Sequence, residues 1–169
     1  MNLNYITGVF SAGKSYLRLK GANITSSLSL YKAYARAALS YALNHGGFVT
    51  VGQFLDRDLI VIGEGGILYY VRARTDDLTH VATTAKPYTR RWFRPRLGDV
   101  VVDVGASIGR FSLAAARAGA SVVAVEPNPE TFKVLAANVK LNGFRNVRLC
   151  TRKRGSNVFN NTKVIPDGF

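Results

Sequence analysis

Two acids and two glycines carry the chemistry this chain can offer. Asp103 stands two residues before Gly105, Gly109 follows four residues later, and Glu126 closes the next apolar run. Glycines so placed let a backbone pass close under a ligand, and a helix opening behind them turns free N–H groups toward the same point. An ionised carboxylate at Glu126 has two acceptor oxygens and no donor, which suits the paired hydroxyls of a ribose. Asp103 can meet a cationic group or ordered water at the amino-acid end of the same ligand. Adenosine joined to a zwitterionic amino acid answers both demands, so the pattern points to S-adenosyl-L-methionine. A dinucleotide turn reads G-x-G-x-x-G whereas this one reads G-x-x-x-G, which argues against NAD.

The elements that must position these residues are written around them. Val100, Val101, Val102 and Val104 read as a strand buried on both faces, as a central parallel strand is. The turn from Gly105 to Gly109 leads into a helix over Arg110 to Ala118, with Gly119 as its C-cap. Ser121 to Val125 forms the next strand, stopped by Glu126, Pro127, Asn128 and Pro129. A second helix carries Phe132, Leu135, Val139 and Leu141 and ends at Asn142-Gly143, and Val147 to Cys150 is a third strand.

The runs D-V-G-A-x-I-G-x-F-S from Asp103 to Ser112, E-P-N-P from Glu126 to Pro129 and L-x-x-N-x-x-L-N-G from Leu135 to Gly143 resemble the FkbM family of S-adenosylmethionine-dependent methyltransferases. Arg72, Thr75, Asp77 and Leu78 match that family's R-x-x-T-x-D-L, and Pro95, Gly98 and Asp99 its P-x-x-G-D. The resemblance implies a class I methyltransferase (Rossmann-like) fold with the donor over the turn, held by Asp103, Gly105, Ala106, Ser107, Gly109, Glu126, Pro127 and Asn128. It implies a small-molecule acceptor, the hydroxyl of a sugar or other metabolite. Ser107 departs mildly from the family, which often has asparagine there. Some RNA methyltransferases share the G-x-x-x-G turn, the E/D-x-N-P and the x-N-x-x-L-N, so RNA is the alternative acceptor. A third reading is a non-catalytic basic module that binds RNA or assembles.

The expected fold class is α/β: the N-terminal half of a class I parallel sheet, preceded by a helix and a small antiparallel β-meander. Residues 1–85 would form that N-terminal extension, 86–150 a partial cofactor-binding domain and 151–169 a loose basic tail. From Val100 the chain has 70 residues, room for about three strands and two helices. The expectation is therefore a truncated or frame-disrupted enzyme that holds its donor without turning over, and that could associate through an exposed sheet edge. No catalytic base can be named, because the acceptor side of such a fold is built from later strands.

In the N-terminal part, Ser29 to Asn44 suits a helix with Leu30, Tyr34, Ala38, Tyr41 and Ala42 near one face, ending at His45-Gly46-Gly47. Phe48 to Phe54, Leu59 to Ile62 and Ile67 to Arg72 read as the strands of the meander.

The net charge is +13, from 23 Lys and Arg against 10 Asp and Glu. Basic clusters at Lys86/Arg90/Arg91/Arg94/Arg96, interleaved with Tyr88, Trp92 and Phe93, and at Arg145/Arg148/Arg152/Lys153/Arg154 could bind a phosphate backbone or form a solvated face, and the solvated face is the expectation. No apolar run is long enough to span a bilayer and the start MNLNYITG lacks a signal-peptide pattern, so a cytoplasmic location is expected. His45 and His80 have no neighbours at metal-ligand spacing and no metal site is expected. The single cysteine, Cys150, reads as a small buried strand residue.

Gly8 to Ser15, GVFSAGKS, matches the phosphate-cradling G-x-x-x-x-G-K-[ST]. The context contradicts it: NLNYIT is too short and polar for a buried strand, and YLRLKGAN breaks at Gly21 where a helix should continue. Lys14→Ala is therefore expected to leave ATP affinity unchanged. ATP binding in the wild type that disappears in this variant would overturn the reading.

Overall fold

A computed structural model describes residues 19–43, 50–83 and 94–151. The Gly8–Ser15 motif, His45, Lys86 to Phe93 and Arg152 to Phe169 lie outside the described residues. The chain divides into two compact units, Met1–Ala85 and Lys86–Phe169.

The first unit joins a helix to a three-stranded antiparallel sheet. Strand β1 (Lys20–Gly21) pairs with β2 (Leu59–Ile62), which pairs with β3 (Leu68–Val71). Helix α1 (Ile24–Leu43) begins earlier than its Ala-rich stretch suggests. The reason is a cap: the side chain of Asn23 accepts from the backbone N–H of Ser26 at 2.8 Å, satisfying one of the N–H groups a helix start leaves open. Its inward face is Ser26, Ser29, Leu30, Ala33 and Ala37, while Ala38 is exposed. β1 runs tight against the first turn of this helix. A Cβ on Gly21 would lie 2.2 Å from the backbone N of Ser27.

The expected strand over Phe48 to Phe54 is corrected where it is described: Val51–Phe54 is a 3-10 turn. Bonds from Gln53 N–H to the Thr50 carbonyl and from Leu55 N–H to the Gly52 carbonyl close it. Gly52 lies so near the Thr75 carbonyl, 2.5 Å from where a Cβ would be, that an extended side chain has no room. The third strand of the meander is instead Lys20–Gly21, from the other side of α1. Leu59, Val61, Tyr69 and Val71 point inward from β2 and β3 in strict alternation, as their sequence pattern requires.

Behind β3 the R-x-x-T-x-D-L motif becomes a lock. Both oxygens of the Asp77 carboxylate accept from the Arg72 guanidinium, Nε at 2.7 Å and a terminal nitrogen at 2.9 Å, and one also accepts the Arg72 backbone N–H at 3.1 Å. Thr75 Oγ1 donates to the Arg72 carbonyl at 3.0 Å. Asp77 is 3% exposed and opens α2 (Asp77–Thr83), whose Leu78 is fully buried. Nearby, Asp58 accepts from the Tyr70 hydroxyl, which raises the Tyr70 pKa above its ordinary value by favouring the neutral phenol.

The second unit is a parallel sheet, β4 (Val100–Val104), β5 (Ser121–Val125) and β6 (Val147–Cys150), with β5 in the middle. Helix α3 (Arg110–Arg117) links the first pair and α4 (Pro129–Leu141) the second. Asp99 from the P-x-x-G-D segment accepts the Arg96 N–H at 2.8 Å, fixing the turn that feeds β4. Asn146 donates from one amide nitrogen to the Ala116 and Ala120 carbonyls, at 2.8 and 2.7 Å, and so pins the end of α3 to the start of β6.

The expectation that β4 is buried on both faces is corrected. Val101 is 5% exposed, but Val100, Val102 and Val104 are 76%, 62% and 79% exposed. Two successive right-handed crossovers advancing in one direction put both helices on the same face, so the strand's alternate residues have no helix above them among the described residues.

Asp77→Ala would leave the Arg72 guanidinium half-buried without its carboxylate. Such a loss is expected to destabilise the first unit by about 2–4 kcal/mol. Urea unfolding of the variant against wild type checks this, and a change under ~0.5 kcal/mol would mean that the lock contributes nothing net.

Candidate cofactor site

The C-terminal ends of β4 and β5 bring the sequence-predicted residues together. Beyond Val104 the chain turns through Gly105, Ala106, Ser107, Ile108 and Gly109 before α3 begins. Gly105, Ser107 and Gly109 all have positive φ, +82°, +53° and +94°. Glycine adopts that region freely and serine only at a cost, so something must hold Ser107 there.

Glu126 does so. Its carboxylate accepts the Ser107 backbone N–H through Oε2 at 2.8 Å and the Asn128 backbone N–H through Oε1 at 2.8 Å. The N–H groups of Gly105 and Ala106 both reach the Val125 carbonyl, at 2.8 and 3.0 Å, and the Glu126 N–H reaches the Cys150 carbonyl at 3.0 Å. The turn is thus stapled to the tip of β5, and that tip to β6. Glu126 is 7% exposed, so its two bonds operate where water competes little.

Two other site residues act locally. Asp103 accepts from the Ser112 hydroxyl at 2.5 Å, which ties the end of β4 to the first turn of α3. The Asn128 side chain accepts from the Glu130 and Thr131 N–H groups at 3.0 and 3.1 Å, capping α4 ahead of Pro129. Pro127 is exposed between them. Of the remaining candidates, His80 is exposed and Cys150 is half-buried. Among the described residues no three His, Cys, Asp or Glu side chains gather as metal ligands, and no helix is long and apolar enough to cross a membrane.

The sequence motifs contain Ser112 and Asn138 without assigning either a role, and sequence reasoning missed Asn146. Asn138 is fully buried and donates to the Ile108 carbonyl at 2.9 Å. Its signal was present: a single amide on the apolar stripe of a helix, between Leu135 and Val139.

A ligand could approach the turn from one side. Around Gly105 a Cβ would meet nothing within 4 Å, whereas at Gly109 it would lie 2.7 Å from Leu135 Cδ1. The first glycine faces open space and the second faces packed helix.

Glu126→Ala removes two charge-assisted bonds to backbone N–H groups, each typically worth about 1.5–3 kcal/mol. The Ser107 amide is expected to lose most of its protection from hydrogen exchange while amides in the middle of β5 keep theirs. Unchanged Ser107 protection would show that the turn holds its shape without the carboxylate.

Comparison with known proteins assigns this arrangement a class. Residues 82–162 match the TRM5/TYW2 methyltransferase domain family. A tRNA (guanine(37)-N(1))-methyltransferase of Danio rerio is 41% identical over 68 residues, covering 32% of this chain and 14% of the relative. The 23S rRNA (uracil(1939)-C(5))-methyltransferase RlmD of Hahella chejuensis is 38% identical over 56 residues, covering 33% of this chain and 13% of the relative. Among solved structures, wild-type Trm5b of Pyrococcus abyssi aligns with a TM-score of 0.46 and 26% identity, over 56% of this chain and 28% of that one. TYW2 of M. jannaschii in complex with AdoMet aligns with a TM-score of 0.43 and 29% identity, over 54% and 42%. The match spans only about a seventh of the Danio rerio relative. The family match and the sequence relatives bear out the methyltransferase class and do not single out the FkbM family within it. Residues 82–162 are thus part of a methyltransferase domain.

Proposed function

We propose that the chain binds S-adenosylmethionine on the turn from Gly105 to Gly109 and serves methyl transfer to RNA, a tRNA being the substrate class. The observation that carries the reading is the match of residues 82–162 to the TRM5/TYW2 methyltransferase domain. Relatives named for a tRNA guanine and an rRNA uracil favour the RNA alternative over a sugar or metabolite hydroxyl.

The residues present fit the cofactor. An ionised carboxylate offers about four lone-pair positions, and backbone N–H groups take two at Glu126, which leaves acceptor capacity for ribose hydroxyls. Gly105 keeps the space above the turn clear. Asp103, held by Ser112, stands at the tip of the neighbouring strand for the amino-acid end. Bound there, S-adenosylmethionine supplies an electrophilic methyl group on a sulfonium. The chain's own contribution is orientation: the staples on Gly105, Ala106 and Ser107 fix the turn before any ligand arrives, which lowers the ordering cost of binding.

Charge distribution bears on where RNA would lie. Arg117 and Lys140 occupy the last turns of α3 and α4, and Arg145 precedes β6. All sit at the end of the sheet away from the turn, where helix C-termini favour cations for reasons unconnected with a partner. The run Arg152, Lys153 and Arg154 follows β6 in sequence and belongs to no helix C-terminus that the sequence signals.

Two titrations test the reading, calorimetry with S-adenosylhomocysteine and fluorescence anisotropy with a tRNA transcript. The cofactor product is expected to bind. The transcript is expected to bind with steep salt dependence, and replacing Arg152, Lys153 and Arg154 by Ala should flatten the slope by about 2–3, with Arg117→Ala and Lys140→Ala having smaller effects. Cofactor binding without tRNA binding, even at low salt, would return the reading to a small-molecule acceptor.

A further inference from the structure

We infer that Asn138 is a positioning residue for the cofactor turn, acting through the carbonyl of Ile108. The inference rests on the reading of that turn as the cofactor site. The inner face of α4 is Val134, Leu135, Asn138 and Val139, an apolar stripe with one amide in it. A buried amide that finds no partner is destabilising, and an apolar side chain of the same size would fill the place without that demand. Asn138 is 0% exposed, and its Nδ2 spans 30 residues of sequence to donate to the Ile108 oxygen at 2.9 Å.

The carbonyl it holds belongs to a peptide that leads into a glycine of positive φ. Ile108 stands between Ser107 at φ +53° and Gly109 at φ +94°. The same peptide's N–H, that of Gly109, donates to the Ala106 carbonyl at 2.9 Å. Rotation of this one peptide plane would reverse the dipole the turn presents and break that bond. The first part of the turn is held by the Val125 carbonyl and the middle by Glu126. Asn138 holds the last part. Leu135, packed at Gly109, limits the approach of α4 but supplies no direction, whereas the hydrogen bond fixes the orientation of the carbonyl.

The experiment uses the full chain and S-adenosylhomocysteine as the probe, with calorimetric affinity and thermal unfolding measured in parallel. Asn138→Leu keeps the branched four-heavy-atom skeleton and removes the donor. It is expected to bind about tenfold more weakly. Val122→Ala, a cavity at the far end of β5, should lower the unfolding midpoint and leave affinity unchanged. Asn138→Asp adds a readout that mere packing would not move. Its carboxylate opposes the Ile108 carbonyl, while its protonated form can donate to it, so affinity relative to wild type should recover as pH falls. Glu126 and Asp103 are present in both proteins, so their contributions cancel in the ratio. Wild-type affinity in Asn138→Leu, or a ratio for Asn138→Asp that is flat with pH, overturns the inference while the cofactor reading stands. Absence of binding by the wild type overturns both. Should Asn138→Leu fail to fold, the pH profile of Asn138→Asp decides alone.

Discussion

The cofactor half of this chain depends on one buried carboxylate that bonds to backbone rather than to side chains. Glu126 gathers the N–H groups of Ser107 and Asn128, which belong to two different strand-to-helix connections. Because both donors are backbone, the interaction fixes chain direction at the end of β4 and at the end of β5 together. A carboxylate that is nearly buried is tolerated only when its lone pairs are satisfied. Here the satisfying groups are the ones whose geometry a ligand would read.

That arrangement changes the meaning of an acid at the tip of the second strand. From sequence, Glu126 looks like a group held out to a ribose. In the structure its first task is internal, and any ribose contact draws on what capacity remains. Ser107 shows the same coupling from the other side. Its left-handed backbone suits glycine or asparagine better than serine, and the bond from its N–H to Glu126 offsets that strain.

Much of the second unit was legible because its signals are local. The valine run, the glycine turn, Asn128 before Pro129 and the Asn142-Gly143 stop each state their element within a few residues, and all three strands and both helices stand where those signals put them. What the valine run could not state was which layers cover it. Apolar residues at four of five positions mark a strand, but burial of alternate residues depends on helices whose side of the sheet is set by crossover handedness. In the first unit the helix was legible and its face was not, since Ala at successive positions leaves the periodicity without contrast. Phe48 to Phe54 failed for a different reason. Its described part is bent by the packing of Gly52 against Thr75, a contact between residues far apart in sequence.

The polar residues inside α3 and α4 carry the final step. Ser112 and Asn138 are both fully buried on the inner faces of their helices, and each bonds to a group in or beside the turn. Apolar packing alone would let a helix slide or rotate slightly with little penalty, because dispersion contacts have no preferred direction. A single directed bond from each helix removes that freedom at the place where it matters. Ser112 sets α3 against Asp103, and Asn138 sets α4 against Ile108. The turn between those two residues is therefore held by the sheet from below and by one polar contact from each helix, with the side at Gly105 left open.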